Sequence, residues 1–91
     1  MSRFDVRKLE REILSALSGG GAAATYVIRN RLDHPGRPFY RKEIETRHIL
    51  RACRRLERDQ MISEATSPFV VMKSWRITDA GKQAISMEET A

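Results

Sequence analysis

Three stretches of the chain place apolar residues at helical spacing. In the first, Val6, Leu9, Ile13, Ala16 and Leu17 recur every three or four positions and Leu14 widens the stripe, predicting a helix from about Ser2 to Ser18. Ser2 or Asp5 can accept hydrogen bonds from its free amides, so either serves as N-cap. Gly19-Gly20-Gly21 then ends it, because three consecutive glycines have no reason to stay helical. A second, shorter helix is predicted from about Ala22 to Leu32, with Ala24, Val27, Ile28 and Leu32 inward and Tyr26 at one edge. Asp33-His34-Pro35-Gly36-Arg37-Pro38 breaks the chain, and a short helical turn is expected around Tyr40 to Glu45. The third stretch runs from about Arg47 to Gln60, with Thr46 as the expected N-cap.

Beyond it the pattern changes. Met61-Ile62-Ser63-Glu64-Ala65 reads as a strand, Thr66-Ser67-Pro68 as a turn, and Phe69 to Ile77, rich in β-formers, as a returning strand. Thr78 is the expected N-cap of a last helix to about Met87, and the tail from Ser86 is expected to fray. There is no internal repeat. The predicted class is mainly α with a small β-hairpin, in the order helix-helix-helix-strand-strand-helix.

Length limits this to a single domain spanning residues 1–91. Hydrophobic residues at 41% and charged residues at 32% match ordinary globular usage and exclude a disordered acidic tail or a fibre. The longest apolar run is Phe69-Val70-Val71-Met72, far short of the roughly 20 residues of a membrane helix. Met1 to Asp5 leads into charged sequence rather than an apolar signal core, and the lone Cys53 excludes an internal disulfide. Both suit a cytoplasmic protein with no membrane partner.

The net charge of +5 is unevenly spread, at +2 over residues 1–34, +4 over 35–60 and −1 over 61–91. Phosphate is the partner class that such a central positive field suits. Its source is the third helix. At about 100° per residue, Ile49, Leu50, Cys53 and Leu56 form an apolar side with Ala52 at its margin. Arg47, Arg51, Arg54, Arg55 and Arg58 fall opposite, within an arc of about 100°, with His48 at its edge. Solvated helix faces usually alternate acid and base four residues apart. This arc is nearly all basic, and its arginines can fork onto guanine or grip phosphate in a major groove that admits one helix.

Two segments carry a family resemblance. Arg54-Arg55-Leu56-Glu57-Arg58-Asp59-Gln60-Met61-Ile62 is similar to the "RRLERDGLI" that ends the recognition helix of winged helix-turn-helix regulators of the PadR and MarR type. Trp75-Arg76-Ile77-Thr78-Asp79-Ala80-Gly81-Lys82 resembles their "YRLTDAGR", which leaves the wing. The resemblance implies a recognition helix at about 46–60, a wing at about 61–77 and a C-terminal helix at about 78–87. It places Thr46, Arg47, His48 and Arg51 toward the major groove, and Arg54, Arg55 and Arg58 toward phosphates. The wing region is Thr66 to Lys73; its tip, Thr66 to Val71, has only Lys73 and Arg76 nearby as cations, so the long basic link carrying Arg37, Arg41 and Lys42 is a candidate replacement grip. Gln60 stands where the family often has glycine.

The remaining chemistry-bearing residues are sparse. His34, His48 and Cys53 do not make a metal cluster, and Cys53 on the apolar side reads as a structural thiol. The glycine triplet lacks a following Gly-Lys-Ser/Thr and reads as a connector, not a phosphate loop. Trp75 is expected to pack the hairpin onto the helices; Tyr26 and Phe39 are open between core and contact roles. No cofactor, metal or catalytic constellation is expected. The expected function is therefore a non-enzymatic, double-stranded-DNA-binding transcriptional regulator, acting as a homodimer. The alternative is a winged-helix protein-interaction module, or a small phage-type inhibitor, meeting a protein or nucleoprotein partner through its basic face or apolar wing.

Overall fold

The computed structural model describes residues 5–65 and 73–90, with side chains through 87. Four helices and a three-stranded antiparallel sheet follow in the order α1 (Val6–Leu17), β1 (Ala23–Ala24), α2 (Thr25–Leu32), α3 (Thr46–Arg58), β2 (Ile62–Ala65), β3 (Ser74–Ile77) and α4 (Asp79–Thr90). The Ser2 cap, the turn at Thr66-Ser67-Pro68 and the apolar run from Phe69 to Met72 lie outside the described residues. No helix of the described residues is long and apolar enough to cross a membrane.

α1 is capped by Asp5, whose carboxylate accepts from the amides of Arg7 at 2.9 Å and Lys8 at 3.3 Å. Leu9, Ile13, Leu14, Ala16 and Leu17 are buried, whereas Val6, counted in the same stripe, is 38% exposed. The glycine triplet ends the helix as expected, with Gly20 and Gly21 at positive φ.

The second helix starts three residues later than its composition suggests. Ala23 and Ala24 are good helix formers, yet they pair with Trp75 and Ser74 as β1. The edge of β3 offers their backbone groups partners, and that tertiary demand overrides a weak propensity. The sheet order is β1-β3-β2, so the expected hairpin of β2 and β3 gains a third strand. Within the hairpin, Ile62 faces Ile77 and Glu64 faces Trp75.

Trp75 joins sheet to helices. It is fully buried, and its indole Nε1–H donates to Thr25 Oγ1 at 3.0 Å. Thr25, the first residue of α2, in turn donates its hydroxyl to the Lys73 carbonyl at 3.2 Å and its amide to the same oxygen at 3.0 Å. One threonine thereby satisfies a buried indole and fixes where α2 begins.

The link between α2 and α3 is a series of tight turns in place of the helical turn expected around Tyr40 to Glu45. Arg41 and Glu43 adopt φ of 59° and 56°, which no right-handed helix contains. Asp33 Oδ1 accepts from the Arg41 amide at 2.8 Å, and Arg29 Nε donates to the Ile44 carbonyl at 2.9 Å. Phe39 and Ile44 anchor the link in the core, which assigns Phe39 a core role; Tyr26 is 48% exposed.

α3 ends in a Schellman motif, with Met61 N–H on the Leu56 carbonyl and Gln60 N–H on the Glu57 carbonyl, both at 2.9 Å. Gln60 takes the left-handed conformation, φ 63°, that glycine usually fills there. The turn is held from outside. Thr78 Oγ1 lies 2.7 Å from the Gln60 carbonyl oxygen and 2.9 Å from that of Met61. It also accepts from the Gly81 amide at 3.1 Å, which makes it the cap of α4 as expected. α4 continues to Thr90, three residues past its expected end at Met87.

Gly81 is explained by the same contact. A Cβ built there would overlap the Met61 carbonyl oxygen and come within 2.8 Å of Ile77 Cγ1. Ala would ordinarily stabilise a helix interior relative to Gly by about 1 kcal/mol. Here Gly81→Ala is expected to destabilise by about 1–3 kcal/mol, as overpacking does, measured by urea unfolding. A Thr25→Val change, which strands the Trp75 indole N–H, is expected to cost about 1–3 kcal/mol in the same assay, while Thr25→Ser retains most of the stability.

Candidate nucleic-acid interface

α3 is positioned by its apolar back. Ile49, Ala52, Cys53 and Leu56 are all buried, and Leu50 is half-buried. Ala52, expected at the margin, sits within the buried sector instead. Relative to the sequence reading, the helix is rolled toward Ala52 and away from Leu50. That roll decides which arginines face outward. Arg47, Arg51, Arg54 and Arg58 are exposed, and at about 100° per residue they share an arc of about 60°. From Arg47 to Arg58 they extend about 16 Å along the axis at the helical rise.

Arg55 leaves this front. It lies on the flank, half-buried, with Nε 3.2 Å from Glu10 Oε1 of α1. Its charge fastens α3 to α1. Arg37 does similar work in the link, 3.4 Å from Glu12 of α1. Lys73 pairs across the hairpin with Glu64 at 3.0 Å. These three candidate contact cations thus already have carboxylate partners, as does Arg47, which pairs with Glu45. Lys42 is exposed, and the Arg41 guanidinium lies over the Tyr40 ring at 5.3 Å from its centre.

Among the described residues, no carboxylate lies within ion-pair distance of Arg51, Arg54 or Arg58. Like charges four residues apart on a helix are destabilising by about 0.2–0.5 kcal/mol per pair. Arg47 with Arg51 and Arg54 with Arg58 have that spacing. Glu45 offsets this at Arg47; at Arg51, Arg54 and Arg58 a polyanion laid along this face would reduce the repulsion.

The front end of α3 differs from its expected form. Thr46 is the first helical residue and does not cap; the cap is Glu45. Glu45 and His48 form a reciprocal capping box: the Glu45 carboxylate accepts from the His48 amide, and the Glu45 amide donates to His48 Nδ1 at 3.0 Å. His48 thus reaches back over the helix end, with Nε2 3.9 Å from Glu45 Oε2. Arg47 Nε donates to the same Oε2 at 2.6 Å. Glu45 was not among the residues singled out from sequence. Its signal was available, as an acid three residues ahead of His48 at a helix start, but Thr46 offered a commoner cap.

Cys53 is fully buried on the back of α3. Burial, aided by the nearby Glu57 charge, pushes its thiol up to about 12, so it is neither an accessible nor an activated nucleophile. A cleft of about 250 Å³ lies between α1, the end of α3 and α4, floored by Leu14, Leu56, Met61 and Ile85. Arg7 and Arg11 among its lining residues are matched in number by Glu10 and Asp59, so it lacks the excess of positive charge of the α3 front. Among the described residues, no three His, Cys, Asp or Glu side chains converge as a metal site would require.

Compared with known proteins, the chain matches no family model and no curated sequence.

The thiol gives a pH prediction. An unfolded Cys ionises near 9.0 and the folded one near 12. Between those values the unfolded chain has released a proton that the folded chain keeps. Stability therefore falls as pH rises through this window, by up to about 1.4 kcal/mol per pH unit. Urea unfolding at about pH 8 and about pH 10 should show a larger alkaline loss for the wild type than for Cys53→Ala, in which this proton is absent.

Proposed function

We propose that this chain is a transcriptional regulator of winged helix-turn-helix type that binds double-stranded DNA, with α3 as its recognition helix. The observation that carries the reading is the exposed four-arginine front of α3, three of whose members have no carboxylate partner among the described residues. The architecture supports it. α2 and α3 pack against α1 and each other, and an antiparallel hairpin follows α3 directly. That order is compatible with a winged-helix arrangement, in which β2 and β3 form the base of the wing.

In this reading the front of α3 enters a major groove whose width admits one helix. The leading residues Thr46, Arg47 and Arg51 approach base edges, as the N-terminal part of a recognition helix does. Arg54 and Arg58, further along, meet phosphates and release counterions. Arg55 stays with Glu10 and acts by holding the helix in place rather than by touching DNA. Lys42 and Arg41 in the preceding link extend the positive surface toward a flanking phosphate. A second copy of the chain reads a second half-site, about one helical turn away.

Binding to a duplex should weaken with salt, with a log–log slope of about −0.9 for each phosphate neutralised. Fluorescence anisotropy across a salt series should show Arg58→Ala lowering affinity for all duplexes alike and reducing the slope by about one. Arg51→Ala should instead relax preference at one base position, by about 1–3 kcal/mol. If neither change alters DNA binding, α3 is not the reading element.

A further inference from the structure

The leading end of α3 carries an arrangement that a mere phosphate grip does not need. Glu45 places a carboxylate beside the front arginines, where it opposes the approach of any anion. Arg47 and Glu45 are 74% and 57% exposed, and an exposed pair contributes little to stability. The pair is also two residues apart, a spacing that does not meet on a helix. It forms because Glu45, as N-cap, has extended backbone at φ −92° and ψ 158°, which swings its side chain over the helix end. The Glu45 backbone is held at both its polar groups by His48, whose Nδ1 accepts from the Glu45 amide at 3.0 Å and whose amide donates to the Glu45 carbonyl at 2.9 Å.

The contact is made through one particular nitrogen. Glu45 Oε2 accepts from Arg47 Nε. That leaves both terminal nitrogens of the guanidinium as a free fork, the group that pairs with the O6 and N7 acceptors of guanine. A single phosphate would be gripped as well by a mobile Arg; a base edge rewards one that is already oriented.

Resting on the DNA-binding reading, we propose that Glu45 is a specificity-determining positioning residue, which aims Arg47 at a guanine and turns it away from the phosphate backbone. It acts through Arg47 and does not touch the base. The Glu45 carboxylate weakens binding to DNA in general while strengthening discrimination at one base pair. Removing it therefore moves two quantities in opposite directions, which loss of a structural cap alone would not do.

The test is selection from a pool of random duplexes with the wild-type chain, Arg47→Ala and Glu45→Ser, followed by titration of the recovered duplex and of unselected duplexes. Ser is itself a good N-cap, so Glu45→Ser keeps the helix start while removing the carboxylate. The expected result is that Arg47→Ala and Glu45→Ser lose preference for the same guanine, by roughly 5-fold or more, the low end of what one bidentate base contact supplies. Glu45→Ser should also bind unselected duplexes more tightly than the wild type. If Glu45→Ser melts at the wild-type temperature and keeps the full guanine preference, the positioning role is wrong while DNA recognition stands. If it melts early, Glu45→Thr, another N-cap residue that lacks the carboxylate, decides by the same two readouts. If the wild-type chain enriches no duplex, the DNA reading itself fails and takes this role with it.

Discussion

The organising constraint is the burial of one side of α3. Ile49, Ala52, Cys53 and Leu56 are withdrawn from water against α1 and α2, and a fully buried aliphatic side chain contributes about 1.5–3 kcal/mol. No rotation of the helix could expose that side without losing several such contributions. The opposite side is then obliged to carry Arg47, Arg51, Arg54 and Arg58 outward. Repulsion among those charges is small beside the burial that enforces it, so the fold tolerates it. The apolar back is thus the physical origin of the basic front.

Around the hairpin, single residues serve more than one purpose. Thr25 starts α2, satisfies the buried Trp75 indole and binds the carbonyl of Lys73. Thr78 caps α4 and holds the left-handed turn at Gln60. Gly81 lets α4 approach the Met61 carbonyl closely enough for that contact to exist. These contacts lie at the two ends of the hairpin, and they tie the sheet to the helices on either side. A two-stranded hairpin is marginal alone; here one strand, β1, and two helix starts stabilise it. The proposed wing therefore has a rigid base, continuous with the end of the proposed recognition helix.

Much of this was legible along the chain because it depends on local periodicity and local chemistry. The spacing of Leu9, Ile13 and Leu17 marks α1, and the arginine spacing marks the front of α3. The glycine triplet and Thr78 mark helix ends by their own conformational preferences. The points that were not legible each turn on a partner distant in sequence. Ala23 and Ala24 become a strand only because β3, some fifty residues on, presents an edge. Arg55 looks identical to its neighbours until Glu10 of α1 is placed beside it. Glu45 outcompetes Thr46 as cap because the link arrives in extended conformation, with His48 in reach.

The amino-acid order by itself determined which helix is amphipathic, which residues make its apolar and basic sides, and where the chain must turn, because these follow from side-chain spacing and backbone preference. Tertiary structure decided the roll of α3 about its axis, the withdrawal of Arg55, Arg37 and Lys73 into ion pairs, and the third strand. Those outcomes depend on the shape and charge of surfaces brought together only when the chain folds, and a difference of a few tens of degrees in one helix is enough to change which guanidinium groups meet the solvent.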